Sequence, residues 1–252
     1  MDERNDNLLE KKSSRRTFLK NSGLTLGGLI VGGSLGNLFT KRSTVEVPVD
    51  HGGDTSGGTT TNTVDFTESL MFFRRNSEFN AISAAMEQIY PADEHGPGAI
   101  ELRAPYFLDK QLAGPWGTNA NDYRRGPFMP GESPLTNADM FLFAAKKLNS
   151  VASENYDAAD FNALSDEQQV EVLTQIEAGE LDMAPLVGPQ FFSLLRTVTL
   201  QGCFCDPMYG GNKNMEGWKM KEFPGAQPGY AQYVETEEFV SIAPISVGGH
   251  KH

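Results

Sequence analysis

Between residues 66 and 201 the large apolar side chains recur at intervals of three and four, in runs cut off by proline and glycine, and this spacing restricts the fold more than any other feature. The first run (Leu70, Phe73, Phe79, Ile82, Met86, Ile89) predicts a long amphipathic helix, continuous or broken near Asn76. It stops at Tyr90-Pro91, because the residue before proline is pushed out of helical dihedrals. Asp93-Glu94-His95-Gly96-Pro97-Gly98 is turn chemistry. Leu102, Phe107, Leu108 and Leu112 then predict a partly irregular helical stretch over 99–113, ended by Gly114-Pro115-Trp116-Gly117. Thr136 is placed to cap a helix over 138–156 that turns Met140, Phe141, Phe143, Ala144 and Leu148 inward. Ser165 with Gln168 three residues later is a capping-box pattern ahead of Val170, Leu173 and Ile176, and Gly179 suits that helix's end. Pro189 opens a last helix over 190–201. Its Phe191, Phe192, Leu194, Leu195, Val198 and Leu200 leave it apolar nearly all round, as expected of a helix at the centre of a core.

No alternation of strands with helices occurs, as a doubly wound sheet would need, and no internal repeat is found. From Gly202 onward the chain turns to Gly, Pro, Asn and aromatic residues without helical period. The expected class is therefore all-α: an irregular helical domain with a long Gly/Pro-rich C-terminal arm that wraps the body. Residues 119–134, with Tyr123-Arg124-Arg125-Gly126-Pro127-Phe128, predict an irregular excursion and a candidate contact loop.

Ahead of this body, Ser14-Arg15-Arg16-Thr17-Phe18-Leu19-Lys20 has the pattern read by the twin-arginine translocase, with Arg15, Arg16, Phe18 and Leu19 as its recognition residues. A glycine-heavy apolar stretch over 24–39 follows. It is shorter and less apolar than the roughly 20 residues a spanning helix needs, so an export signal is the better reading. An uncleaved signal would serve as a tether. The chain thus divides into a signal (1–42), a Gly/Ser/Thr-rich flexible linker (43–64) and a helical body (65–252). Export would place it in the periplasm or on the outer face of the cytoplasmic membrane, close to the membrane through its signal or its partner. The net charge of −12 is uneven: residues 1–42 carry eight Lys/Arg and four Asp/Glu, a surplus of four, which leaves −16 for the rest. A field of that sign disfavours nucleic acid and anionic lipid.

Redox machinery is hard to find in the chain. There is no G-x-G-x-x-G for a flavin or nicotinamide, no Walker loop, no H-E-x-x-H and no C-x-x-C-H for covalent haem. Gly32-Gly33-Ser34-Leu35-Gly36 matches a nucleophile elbow, but it lies within the export segment and is a coincidence. His95 beside Asp93 and Glu94 is either a general base or a ligand or, more plainly, part of a polar turn between helices. Cys203 and Cys205 are read as buried free thiols, against a strained C-x-C ring or a bridge to another chain. Asp206 to Asn212 reads as a tight turn supporting a protein interface in preference to an anion-binding nest. Trp218 and Tyr209 are typical interface anchors, although a local core plug is an equal reading for Trp218.

Asp206-Pro207-Met208-Tyr209-Gly210-Gly211-Asn212, then Gly217-Trp218-Lys219, then Phe223-Pro224-Gly225-Ala226 resembles the gluconate 2-dehydrogenase subunit 3 family. Ile89-Tyr90-Pro91-Ala92-Asp93 with Gly96-Pro97-Gly98-Ala99, and Tyr123-Arg124 to Pro127, extend the likeness over residues 66–230. The resemblance implies a non-catalytic small subunit that assembles with a large flavoprotein of the glucose-methanol-choline type. FAD would sit in that partner, and haem c in a third, cytochrome subunit. The small subunit would supply the export signal and help its partner mature, with Asp206, Tyr209, Gly210, Gly211, Asn212, Trp218 and Pro224 at the interface. Cys203 and Cys205 depart from the apolar or small residues expected at those positions. The alternatives are an independent exported oxidoreductase and a membrane-tethered structural module.

Overall fold

The computed structural model describes residues 68–122, 126–128, 134–235 and 240–248. The signal residues Arg15, Arg16, Phe18 and Leu19, the linker, and the Tyr123-Arg124-Arg125 part of the contact loop lie outside them. Six α-helices are found among the described residues: α1 Asn76–Ile89, α2 Ala104–Ala113, α3 Asn137–Tyr156, α4 Asp166–Ala178, α5 Gly188–Phe204 and the short α6 Glu216–Met220. No β-strand occurs there. The extended pairing present is limited to isolated bridges between Asp93 and Gly96 and between Gly225 and Ile245. The chain is all-α, as its apolar periodicity requires.

Helix α5 lies between α2 and α4, while α1 packs chiefly on α3 and also reaches α2, α4 and α5. The apolar positions face one another across these crossings: Ile82 and Met86 of α1, Leu108 of α2, Phe141 and Leu148 of α3, Leu173 and Ile176 of α4, and Phe191 of α5 are fully buried. Phe141 and Phe191 meet edge to face with ring centroids 5.5 Å apart, the arrangement that sets a ring's positive edge against its partner's negative face.

Both expected caps form. The Thr136 hydroxyl accepts from Asp139 N while Asp139 returns a carboxylate to the Thr136 N–H, and Ser165 and Gln168 make the same exchange at α4. Gly179 ends α4 in the left-handed region at φ 73°. Such exchanges satisfy N–H groups that a helix start leaves without intrahelical partners.

Four expectations need correction. The first helix starts at Asn76 and not at Leu70, because the backbone of Met71, Phe72 and Phe73 donates to the Asp109 carboxylate of α2 instead of to a helical ladder. Phe143 is 42% exposed. Two steps of 100° from the buried Phe141 carry it to the opposite side of α3. In α4 it is Val172 and not Val170 that is buried, and Gln169 beside them turns in to donate to the Phe161 and Leu164 carbonyls. Finally, α5 continues through Gly202 and Cys203 to Phe204, and α6 interrupts the segment expected to lack helix.

Candidate functional site

The C-terminal end of α5 leaves carbonyl oxygens without intrahelical partners, and satisfying them inside a protein needs donors from elsewhere. The segment from Asp206 to Trp218 supplies them. Asn212 N donates to Gly202 O at 2.9 Å, Asn212 Nδ2 to Cys205 O at 2.8 Å, and Trp218 Nε1 to Phe204 O at 2.7 Å. Asn212 also accepts the Gly217 N–H on its Oδ1 at 2.8 Å, which closes a loop of bonds around a side chain with no solvent exposure. Its backbone is left-handed (φ 46°, ψ 50°), a conformation that asparagine tolerates better than most residues.

Close approach explains the glycines. A Cβ on Gly211 would fall 2.2 Å from the Gly202 carbonyl oxygen, and one on Gly217 would fall 2.1 Å from that of Cys203. Both obstacles are helix backbone that cannot step aside, so side chains here would lift the whole segment off α5.

The remainder of the arm is anchored in turn. Asp206 accepts from Met208 N at 3.0 Å, from Ser246 Oγ at 2.6 Å and from Val247 N at 2.8 Å, so one carboxylate shapes its own turn and holds the distant 246–247 backbone. Pro224 O accepts from Ile245 N, and Ile245 O from Ala226 N. Trp218 is 6% exposed and packs edge to face on Phe223 at 5.3 Å. Of the two readings of Trp218, the geometry is that of a core plug.

Asp206, Tyr209, Gly210, Gly211, Asn212, Trp218 and Pro224 are therefore brought together, but in two roles. Gly211, Asn212 and Trp218 are buried and build the platform, whereas Met208 and Tyr209 stand exposed on its edge. Beside Tyr209 an open groove of about 400 Å3 runs between α2 and the end of α5, lined by Phe107, Gln111, Gln201, Phe204, Cys205 and Tyr209. Most of those residues escaped the reading of the sequence. Phe107 and Phe204 look like ordinary core aromatics, and nothing local places Gln111 of α2 opposite Gln201 of α5.

Neither cysteine is in a disulfide: Cys203 is buried and Cys205 half-buried in the groove wall. Burial pushes the Cys205 thiol up to about 11. The Gly211 backbone opposes that rise and the Asp206 charge adds to it. His95 lies in an exposed turn, with its backbone N–H donating to Asp93 Oδ1 and its ring 3.7 Å from Glu94. Among the described residues no three His, Cys, Asp or Glu side chains gather as a metal-binding set, and no helix is long and apolar enough to cross a membrane.

Asp109, which the sequence reading passed over, is fully buried on α2 and accepts three successive backbone N–H groups. Arg103 reaches Glu68 at 2.7 Å alongside, so the chain entering the body is held at two points.

Comparison with curated proteins and with solved structures returns no significant match. The family model described as gluconate 2-dehydrogenase subunit 3 matches residues 76–225, which spans α1 to α6 and the whole capping platform. The chain belongs to the gluconate 2-dehydrogenase subunit 3 family.

Proposed function

We propose that this chain is a non-catalytic small subunit that escorts, exports and stabilises a flavin-dependent sugar or polyol dehydrogenase of the glucose-methanol-choline type. FAD belongs to that partner, and haem c to a cytochrome subunit where a third chain is present. The observation that carries the reading is the platform itself. The segment that marks the family is locked to the central helix by buried hydrogen bonds and close-packed glycines, and it displays Met208 and Tyr209 outward. Rigid presentation of exposed apolar and aromatic side chains suits stable association, because little conformational entropy remains to be lost on binding.

The twin-arginine pattern at Arg15 and Arg16 supports the export half of the proposal. That route carries proteins already folded, so a flavoprotein without its own signal reaches the periplasm only when bound to a chain that has one. Co-expression of the two chains tests this directly. Arg15→Lys together with Arg16→Lys is expected to leave both chains, and the FAD-dependent dye-reducing activity, in the cytoplasm. Export of the flavoprotein at its normal level under those conditions would refute the escort role.

A further inference from the structure

The groove between α2 and the end of α5 is built from two contrasting parts. Three of its six lining residues are aromatic, Phe107, Phe204 and Tyr209, beside Gln111, Gln201 and Cys205. Its flanks carry cations. Lys110 Nζ lies 5.9 Å from the Tyr106 ring centre and packs against Gly210, and Lys221 Nζ lies 5.6 Å from the Phe204 ring centre. Apolar exposure continues outward through Tyr209 and Met208, and through Phe223 packed on Trp218. A contiguous patch of this kind, unlike scattered apolar residues, marks a contact surface.

The rest of the body is electrostatically different. Residues 134–205, which form α3, α4, α5 and their connections, hold ten Asp/Glu and three Lys/Arg, a surplus of seven negative charges that disfavours an acidic segment on those helices. At the groove two lysines sit over aromatic rings, each presenting its ammonium next to an apolar slot. That pairing suits an apolar side chain with a neighbouring carboxylate: the first fills the slot and the second meets the cation.

We propose that this groove is the docking point for the dehydrogenase subunit, and that it receives from that subunit an apolar residue flanked by acidic ones. The inference rests on the accessory-subunit reading above. A second copy of this chain is a poor occupant, since two helical bodies (65–252), each with 26 Asp/Glu against 13 Lys/Arg and so a net charge of −13, repel each other.

The test uses the full chain co-expressed with a flavoprotein dehydrogenase subunit from the same genome, with affinity measured on the purified pair. Gln201 is exposed and lines the groove, so Gln201→Trp fills the slot without disturbing the core and is expected to weaken binding about a hundredfold. Lys221→Glu is expected to weaken it about tenfold and to flatten its dependence on salt. Gln190→Trp, at the far end of α5, is expected to bind as the wild type does. Alkylation of Cys205, which lines the same groove, should be slowed further in the complex, a readout that needs no variant at all. Should Gln201→Trp impair folding, Lys221→Glu and the Cys205 protection still decide the matter. A wild-type complex that forms but is indifferent to both groove substitutions overturns the docking site and leaves the accessory-subunit reading standing. Self-association sensitive to the same substitutions assigns the groove to a second copy and overturns the proposal as well. Failure of the wild-type chain to bind any flavoprotein overturns the accessory-subunit reading itself.

Discussion

Asn212 holds the platform to the central helix, and its replacement by alanine tests how much that attachment is worth. The substitution removes the acceptor of the Gly217 N–H and the donor to the Cys205 carbonyl, both at 2.8 Å and around a fully buried side chain. A buried backbone group deprived of its partner costs about 1–3 kcal/mol. Forcing alanine into the left-handed region adds about 1 kcal/mol. Partial rescue by water entering the vacated space keeps the total near 3–5 kcal/mol, a large share of the roughly 5–15 kcal/mol that stabilises a domain. Tryptophan fluorescence reports it cleanly once Trp116→Phe leaves Trp218 as the single indole, since Trp218 bonds Phe204 O within the same platform. Urea unfolding of that background with Asn212→Ala should show the Trp218 transition moved to lower denaturant. Asn212→Asp sharpens the test through pH. It keeps an acceptor for Gly217 but, when ionised, sets an oxygen against the Cys205 carbonyl, so the folded state favours its protonated form. With a folded pKa above the roughly 3.9 of an unfolded aspartate, its stability relative to wild type is greatest below that value and falls as pH rises. A Trp218 transition within 1 kcal/mol of wild type for Asn212→Ala, or a pH-independent Asn212→Asp, would refute the assignment of the platform as the cap of α5.

Gly217→Ala, which puts a Cβ 2.1 Å from a helix carbonyl, should lower the melting temperature and expose the arm to limited proteolysis, whereas Gly229→Ala, with nothing within 4 Å, should do neither. Asp109→Ala strips three backbone donors of their acceptor and is expected to cost about 3–5 kcal/mol in chemical denaturation, with faster hydrogen exchange at Phe72 and Phe73 as its local signature. Ser165→Ala should cost about 1 kcal/mol by the same measurement, because it opens one exposed capping box and leaves the core untouched. The Cys205 thiol, raised to about 11 from an ordinary 9.0, should alkylate near pH 8 about a hundredfold more slowly than a free thiol. The stability tied to its protonated form is fully present below about pH 9 and is lost as pH climbs through 11. Alkylation of Cys205 at the free-thiol rate in the folded chain would contradict its burial.

The helices and their caps were legible in the sequence because both depend on neighbours a few residues away. A period of 3.6 lines up Ile82, Met86 and Ile89, and a hydroxyl three residues from a carboxylate or an amide makes a capping box wherever the helix sits. The family pattern from Asp206 to Ala226 was legible too, as a string of residue types in order, and the family model covers it as far as Gly225. What those residues do was decided only in three dimensions. Asn212 acts on carbonyls at 202 and 205, Asp206 on backbone at 247, and Asp109 on amides nearly forty positions earlier, and local spacing encodes none of these pairings. The same holds for the exposure of Phe143 and for the groove between Gln111 and Gln201. Which face of a helix turns to solvent, and which two helices stand side by side, depends on how all the apolar surfaces are buried at once.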